Sequence, residues 1–299
     1  MAGYSTTDTL GSLIDETVMS LQGFGVVSDQ VCSLVGNVSD SATSLTLDSG
    51  EVLSRGIIEV DQELMFVTQC VNGVATVPSW GRGWKGTAKA SHTDGSAVYI
   101  SPTFPRSIVS RQVNNTIKAV YPNLFAVKSF DFQMSALLWQ YEMPADMDRL
   151  ISVEWKYNDI MGWNPLRSWE LVHSANVTDF ASGKFLCLNE FLPPAVSIHV
   201  TYAGLPTALA NETDPLSATG LPASCRDVIV YGAAASLLPW LDSGRAPVDT
   251  VSSDAQDTQK PIGAASSVAA QLRQLYNTRL QQERTALLAK FPVPVHKVR

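Results

Sequence analysis

The sequence has few of the residues and patterns from which catalytic and metal sites are built. Its cysteines occur singly, without a CxxC pair, at Cys32, Cys70, Cys187 and Cys225. Isolated cysteines are typically small buried side chains, so neither a zinc site nor a disulfide framework is indicated. Its histidines show no metal-ligand spacing and stand at His92, His173, His199 and His296. We therefore predict no catalytic residues, no bound metal and no cofactor.

Long apolar runs and targeting signals are also missing. No apolar stretch approaches the roughly 18 residues of a membrane-spanning helix, and the N-terminus has no basic segment followed by an apolar core. No GxSxG motif is present. The segment 81–86, GRGWKG, lacks the spacing of a phosphate-binding loop, so its glycines are expected to serve backbone geometry. These absences favour a globular protein made in the cytoplasm, without a membrane partner.

Charge is distributed unevenly along a chain whose formal net charge is −7. Residues 259–299 contain seven Lys or Arg and one Glu, which gives +6 and leaves −13 for residues 1–258. The C-terminal segment is therefore a basic element on an acidic protein. It either docks onto an acidic partner or near nucleic acid, or it is a solvated helix face.

The most explicit local pattern predicts a tightly turned antiparallel sheet. The run 58–67 is rich in β-branched and aromatic residues and fits one strand. Asn72-Gly73 supplies a hairpin turn to a partner strand over 74–77, and residues 97–100 form a further strand. Asp61 and Glu63 fall on one face of the first strand. They either bind a cation or are ordinary carboxylates on an exposed sheet face.

The whole pattern predicts an α+β fold: a small antiparallel sheet with flanking helices, a β-sandwich-like middle domain and a helical C-terminal part. Apolar residues at helical spacing predict helices over 10–21, 106–120, 228–238 and 264–288. Short β-rich segments separated by turn residues predict the sandwich. We divide the chain into residues 1–124 (helix, sheet and second helix), 125–205 (sandwich), 206–222 (linker) and 223–299 (helical segment with a basic C-terminal helix and an extended tail).

Several segments resemble virion proteins of tailed bacteriophages, notably those of the head-to-tail connection. The resemblance begins with LIDET at 13–17 and IEVDQELMFV at 58–67, and continues with RGWKGTA at 82–88 and Pro105-Arg106 opening a helix. In the C-terminal part, VYGAAA at 230–235 and YNTRLQQER at 276–284 are similar to the helical part of connector adaptors. The motifs are patterns of hydrophobic residues, glycines and turns.

The resemblance implies a structural role in the virion rather than an enzymatic one. Adaptors form a ring, commonly dodecameric, that is bound below the portal and keeps the DNA channel continuous into the tail. The implied partners are further copies of this chain, the portal protein, a downstream neck or tail protein and DNA in the channel, after assembly in the host cytoplasm. The residues expected to contact the portal are Arg273, Arg279, Arg284, Lys290, Phe291, Lys297 and Arg299. Adaptors are often smaller and mostly helical, so the position along the head-to-tail axis stays open.

An alternative function is suggested by the tryptophans of the middle domain. Trp155, Trp163 and Trp169 form an aromatic platform for sugar rings if they are exposed, which would make the chain a carbohydrate-binding or host-adhesion module of a tail or baseplate. The other interpretation is that they fill the sandwich or seal its open end.

Overall fold

The computed structural model describes residues 8–22, 30–49, 53–135, 137–158, 162–240 and 264–292. Over these ranges the chain is mixed α+β, with antiparallel sheets and a long C-terminal helix, which confirms the predicted fold class. The chain forms two compact units. The sheet unit comprises Leu10–Asn115 and Ile229–Leu275, and the sandwich unit comprises Met1–Thr9, Thr116–Val228 and Tyr276–Arg299. The predicted division followed chain order, whereas both units are discontinuous in sequence.

The sheet unit contains one seven-stranded antiparallel sheet. Its strand order is β4-β3-β7-β1-β2-β6-β5. The strands are β1 (Gln30–Val35), β2 (Ser44–Leu47), β3 (Gly56–Val60), β4 (Glu63–Val67), β5 (Gln69–Val71), β6 (Val74–Thr76) and β7 (Ala97–Ile100). Buried Val, Ile, Leu and Met side chains from these strands form one hydrophobic core. The alternation of buried and exposed residues, clearest in β2, explains why these short segments fold as half-buried strands.

The hairpin predicted at Asn72-Gly73 is confirmed. Both residues have positive φ, 50° and 76°, and they join β5 to β6 in antiparallel register. The single strand predicted over 58–67 was wrong, because a second two-residue turn at Asp61-Gln62 divides it into β3 and β4. Asp61 has φ 53°, a conformation that a short polar side chain tolerates.

Helix α1 (Leu10–Gln22) begins the sheet unit. It buries Leu10, Leu13, Ile14 and Leu21 completely, as its helical spacing predicted. Helix α2 (Arg106–Ala119) buries Val109, Val113 and Ile117, and Val120 follows it as a further buried residue. Two N–H groups of its first turn, those of Arg106 and Ser107, donate to the carboxylate of Glu59 on β3 at 2.7 and 2.9 Å. A strand residue thus caps this helix.

The sandwich unit contains a four-stranded sheet of order β11-β10-β14-β8 and a three-stranded sheet of order β12-β13-β9. The strands are β8 (Ala126–Gln133), β9 (Gln140–Glu142), β10 (Met147–Lys156), β11 (Asn164–Pro165), β12 (Trp169–Val172), β13 (Phe185–Leu188) and β14 (Ser197–Gly204). One buried cluster takes residues from both sheets, among them Val153 and Val200 from the first and Leu186 and Leu188 from the second. Two sheets that share one core are the arrangement of a β-sandwich.

The segment after the sandwich is packed rather than extended in solvent. Leu209, Leu216 and Leu221 are buried, and the N–H of Leu216 donates to the carbonyl of Asp8 at 2.7 Å. The chain continues with helix α3 (Arg226–Leu237) and, after residues that the structure does not describe, with helix α4 (Ala264–Lys290). No helix in the described ranges has the length and apolar character needed to cross a membrane.

Candidate partner-binding site

Helix α4 carries most of the residues predicted to contact a partner. Its 27 residues include no glycine or proline and are rich in Ala, Leu, Gln and Arg, which are strong helix formers. The helix ends at Lys290, just before Phe291-Pro292, where proline cannot continue it. Lys290 in the last turn is well placed against the helix dipole.

Three of the predicted basic residues are exposed on this helix. Arg284 and Lys290 belong to the sandwich unit, and Arg273 belongs to the sheet unit. Within the ranges that the structure describes, no salt bridge to a carboxylate involves any of the three. Among the described residues, these three charges are thus open to an acidic partner.

Arg279 differs from these residues because it is bound within the chain. Its Nη2 atom lies 2.9 Å from Oδ2 of Asp227 on α3 and 3.9 Å from Oε1 of Glu283 on its own helix. Glu283 is itself buried and accepts a hydrogen bond from the hydroxyl of Ser224. The geometry makes Arg279 part of an internal clamp that joins α3 to α4.

A cavity of about 410 Å³ lies beside the C-terminal end of α4. Lys290 and Phe291 line it together with Glu283, Leu287 and residues 220–222. Apolar side chains contribute most of this lining, and the ammonium group of Lys290 adds a positive charge. The cavity has the size and character to accept an apolar side chain of a partner, with Lys290 placed for a neighbouring carboxylate. Lys297 and Arg299 lie outside the described residues.

The three tryptophans do not share one exposed surface. Trp155 and Trp169 are partly buried and pack against the sandwich core, as the packing interpretation predicted. Trp163 is 44% exposed, its ring centroid lies 5.3 Å from that of His199, and the Nζ atom of Lys156 lies 4.8 Å from its centroid. Of these three tryptophans, only Trp163 therefore offers an exposed indole ring to a sugar.

The cysteines remain thiols. All four are free. Cys32 and Cys225 are buried, as expected of small core residues, whereas Cys70 and Cys187 are only partly buried. Burial, with the nearby charge of Glu283, raises the pKa of Cys225 to about 12, so its thiol stays protonated. Among the described residues, no group of three or more His, Cys, Asp or Glu side chains is arranged to hold a metal ion.

A buried ionic network at the glycine-rich corner was not predicted. Arg82 binds Glu63 through two bonds, Nε–Oε1 at 2.8 Å and Nη2–Oε2 at 2.9 Å. It also donates to the carbonyls of Ser39, Ala42 and Ala90. The expectation that Glu63 lies on an exposed sheet face was wrong: the residue, backbone included, is 2% exposed and its charge is paired with Arg82. A cation at this carboxylate is disfavoured because the guanidinium occupies both of its oxygens.

His92 completes the network. Its Nε2 lies 3.0 Å from Oε2 of Glu63, and its Nδ1 lies 2.6 Å from Oδ2 of Asp61, the turn residue between β3 and β4. Burial lowers the pKa of His92, but the hydrogen bonds and charges of Glu63 and Asp61 outweigh it and raise the pKa above its ordinary value. The network therefore ties the loops around the corner to the turn between β3 and β4.

The signals for this network were present in the sequence, but their meaning depended on the fold. Arg82 stands between two glycines, and Gly83, at φ 62°, leads into a 3₁₀ turn over Trp84–Gly86. Strong polar residues near such a tight corner are candidates for backbone anchoring. The basic residues of α4, by contrast, could be found from sequence because helical spacing and charge alone identify them.

No protein-family model matches this chain, and no curated protein matches its sequence.

Proposed function

We propose that this chain is a structural protein of a tailed-phage virion that forms a ring at the head-to-tail connection. In this role it joins the portal protein to the tail and keeps the DNA channel continuous. The class of protein comes from the resemblance to connector proteins that the sequence analysis drew from segments such as 82–88 and 276–284. The proposed binding site for the partner is the exposed basic end of α4.

The observation that carries the proposal is the juxtaposition at the end of α4. Arg284 and Lys290 are exposed on the last turns of the helix, and Lys290 and Phe291 border a cavity of about 410 Å³. A positive surface beside an apolar recess is suited to an acidic protein segment that inserts an apolar side chain. The portal protein is the partner that the resemblance implies for this end of the chain.

Light scattering of the purified chain, alone and mixed with the portal protein of the same virion, tests the proposal. We expect a ring-sized complex only in the mixture, because the portal brings the copies together. A monomer or trimer whose mass does not change when the portal protein is added would contradict the connector function. It would favour a fibre or adhesion module.

A carbohydrate-binding or host-adhesion function is the second candidate, and the exposed ring of Trp163 favours it. Lys156 and His199 beside that ring add polar groups that a sugar hydroxyl can contact. A glycan array probed with the purified chain and with a Trp163→Ala variant tests this function. Glycan binding that the substitution abolishes would support the carbohydrate-binding function. An array on which the chain binds no glycan would contradict it.

A further inference from the structure

An open groove runs along one edge of the sandwich unit. It is lined by residues 137–142 together with Asp179 and Phe180; we call it the edge groove. Its volume is about 680 Å³. The ring of Phe180 stacks on Phe185 of β13, with centroids 4.8 Å apart, which attaches this part of the lining to the sandwich.

The apolar side of the edge groove is exposed but held in place. Leu137 is 88% exposed, and Leu138 and Trp139 are each 55% exposed. The hydroxyl of Tyr141 fixes this loop, because it accepts the N–H of Ser135 at 2.9 Å and donates to the carbonyl of Leu138 at 2.9 Å. Three consecutive exposed apolar residues in a fixed loop indicate a contact surface.

The groove also contains an open strand edge. In the described ranges β9 is the last strand of its sheet and pairs only with β13. Trp139 and Met143 form backbone hydrogen bonds with the β13 side. Along an antiparallel edge strand, alternate residues face the partner strand and the open edge. The backbone N–H and C=O groups of Gln140 and Glu142 therefore point away from β13, toward the groove. An edge of this kind accepts an extended segment as an added strand.

The far end of the groove is acidic. The side chains of Glu142 and Asp179 are exposed there, and no Lys or Arg is among the lining residues. Glu142 accepts the N–H of Ser182 at 2.8 Å, which holds the 176–183 turn against this end. The groove therefore changes from apolar at Leu137–Trp139 to negative at Glu142 and Asp179.

We propose that the edge groove binds residues 293–299, VPVHKVR, of a second copy of this chain. In an extended segment alternate residues share a face, so Val293, Val295, Lys297 and Arg299 would point the same way. The two valines would then lie against the apolar part of the groove, and the two cations that follow them would lie against its acidic end. A proline fixes its own φ and favours an extended backbone in the residue before it, so Pro292 and Pro294 lower the entropy that the start of this segment would lose on binding.

This inference deepens the proposed ring and rests on it for the presence of a second copy. Each copy would offer one groove and one tail, which is a heterologous contact, and such contacts close into rings when the rotation between neighbours permits. In this arrangement the exposed residues of α4 bind the portal protein. Lys297 and Arg299 bind the neighbouring copy instead of the portal.

Photo-crosslinking in the full chain tests the contact. Leu137 is replaced by p-benzoylphenylalanine, and isotope-labelled and unlabelled copies are mixed before irradiation, both with and without the portal protein. We expect crosslinks from position 137 to residues 293–299, with the two isotopes combined in one product. The same replacement at Phe191, which is 89% exposed and outside the groove, serves as the control and is expected to give none.

The outcomes separate this inference from the proposed function. A crosslink only within one copy, a crosslink to the portal or to another segment, or no crosslink would overturn the inference. Lys297→Glu and Asp179→Lys are each expected to reduce the crosslink yield about tenfold, and combining them should restore part of it. A ring-sized complex with the portal but no crosslink between copies would leave the proposed function standing and remove the tail contact.

Discussion

Glu63 and Arg82 form a bidentate ion pair in which both side chains are at most 1% exposed. A planar guanidinium against a carboxylate satisfies the geometry of both groups, and the remaining N–H groups of Arg82 reach three backbone carbonyls. The pair therefore connects β4 to the loops on either side of the glycine-rich corner. Removing either partner is costly, because the other would remain buried with an unpaired charge.

The first prediction concerns that pair. Arg82→Met is expected to lower the free energy of unfolding by about 3–5 kcal/mol, because it leaves the Glu63 carboxylate buried without its partner. Urea denaturation measures the change. Arg284→Met, at an exposed position on α4, is the matched control and should change stability by less than about 0.5 kcal/mol. Adding Glu63→Gln to Arg82→Met should recover part of the loss, and a further loss of stability would contradict the assignment.

Acid should weaken the same pair. Burial would raise the pKa of Glu63, but hydrogen bonds from Arg82, His92 and the N–H groups of Ala90 and Gly83 lower it from 4.5 to about 2. A carboxyl whose pKa falls on folding stabilises the native state above its unfolded pKa and loses that contribution as the pH falls through the folded value. The stability difference between the natural chain and Glu63→Gln should therefore shrink between pH 4.5 and about 2. Urea denaturation across this range measures it, and a constant difference would contradict the prediction.

His92 should give the opposite pH dependence. Although burial lowers its pKa, Glu63 and Asp61 raise it above 6.5, so the folded state binds the proton more tightly than the unfolded chain. This contribution is complete below the unfolded pKa and is lost as the pH rises through the folded value. Thermal unfolding of the natural chain and of His92→Gln should therefore differ most below pH 6.5 and converge at higher pH. His173→Gln, at an exposed position, is the matched control substitution, and an effect of His92→Gln that grows with pH would refute the assignment.

Glu59 should matter for helix α2. Glu59→Gln keeps the shape of the side chain but offers one carbonyl oxygen to the two N–H groups of Arg106 and Ser107. We expect a loss of about 1 kcal/mol, as for other helix caps. Urea denaturation measures it, and Glu170→Gln, at an exposed position on β12, should change little. Equal effects of the two substitutions would show that the Glu59 carboxylate does not cap the helix.

The last prediction separates the arginines of α4 and rests on the proposed function. Arg284→Glu should weaken binding to the portal protein by about tenfold, because it reverses an exposed charge at the proposed interface. Arg279→Gln should instead lower stability by up to about 1 kcal/mol through the loss of its partly exposed bridge to Asp227, with a smaller effect on binding. The affinities of the two variants for the immobilised portal protein, measured at low and high salt, are compared. Equal loss of binding in both variants would contradict the division of roles.

The sequence by itself determined the local elements of this protein. Asn72-Gly73 identified a hairpin because both residues tolerate positive φ, and the apolar spacing in α1 and α2 identified most of the apolar side chains that each helix buries. These features depend on residues that are close together in the chain. The charge of α4 was visible for the same reason, since composition and helical period need no tertiary information.

Only the tertiary structure decided how the charged residues are used. Glu63 meets Arg82 19 positions away and His92 29 positions away, and Glu59 caps a helix that begins 47 positions later. Arg279 and Arg284 look alike in sequence, yet Asp227 on α3 binds one and leaves the other exposed. Ion pairs and caps between distant residues form because the fold buries a charge that must then find a partner, and periodicity along the chain does not carry that information.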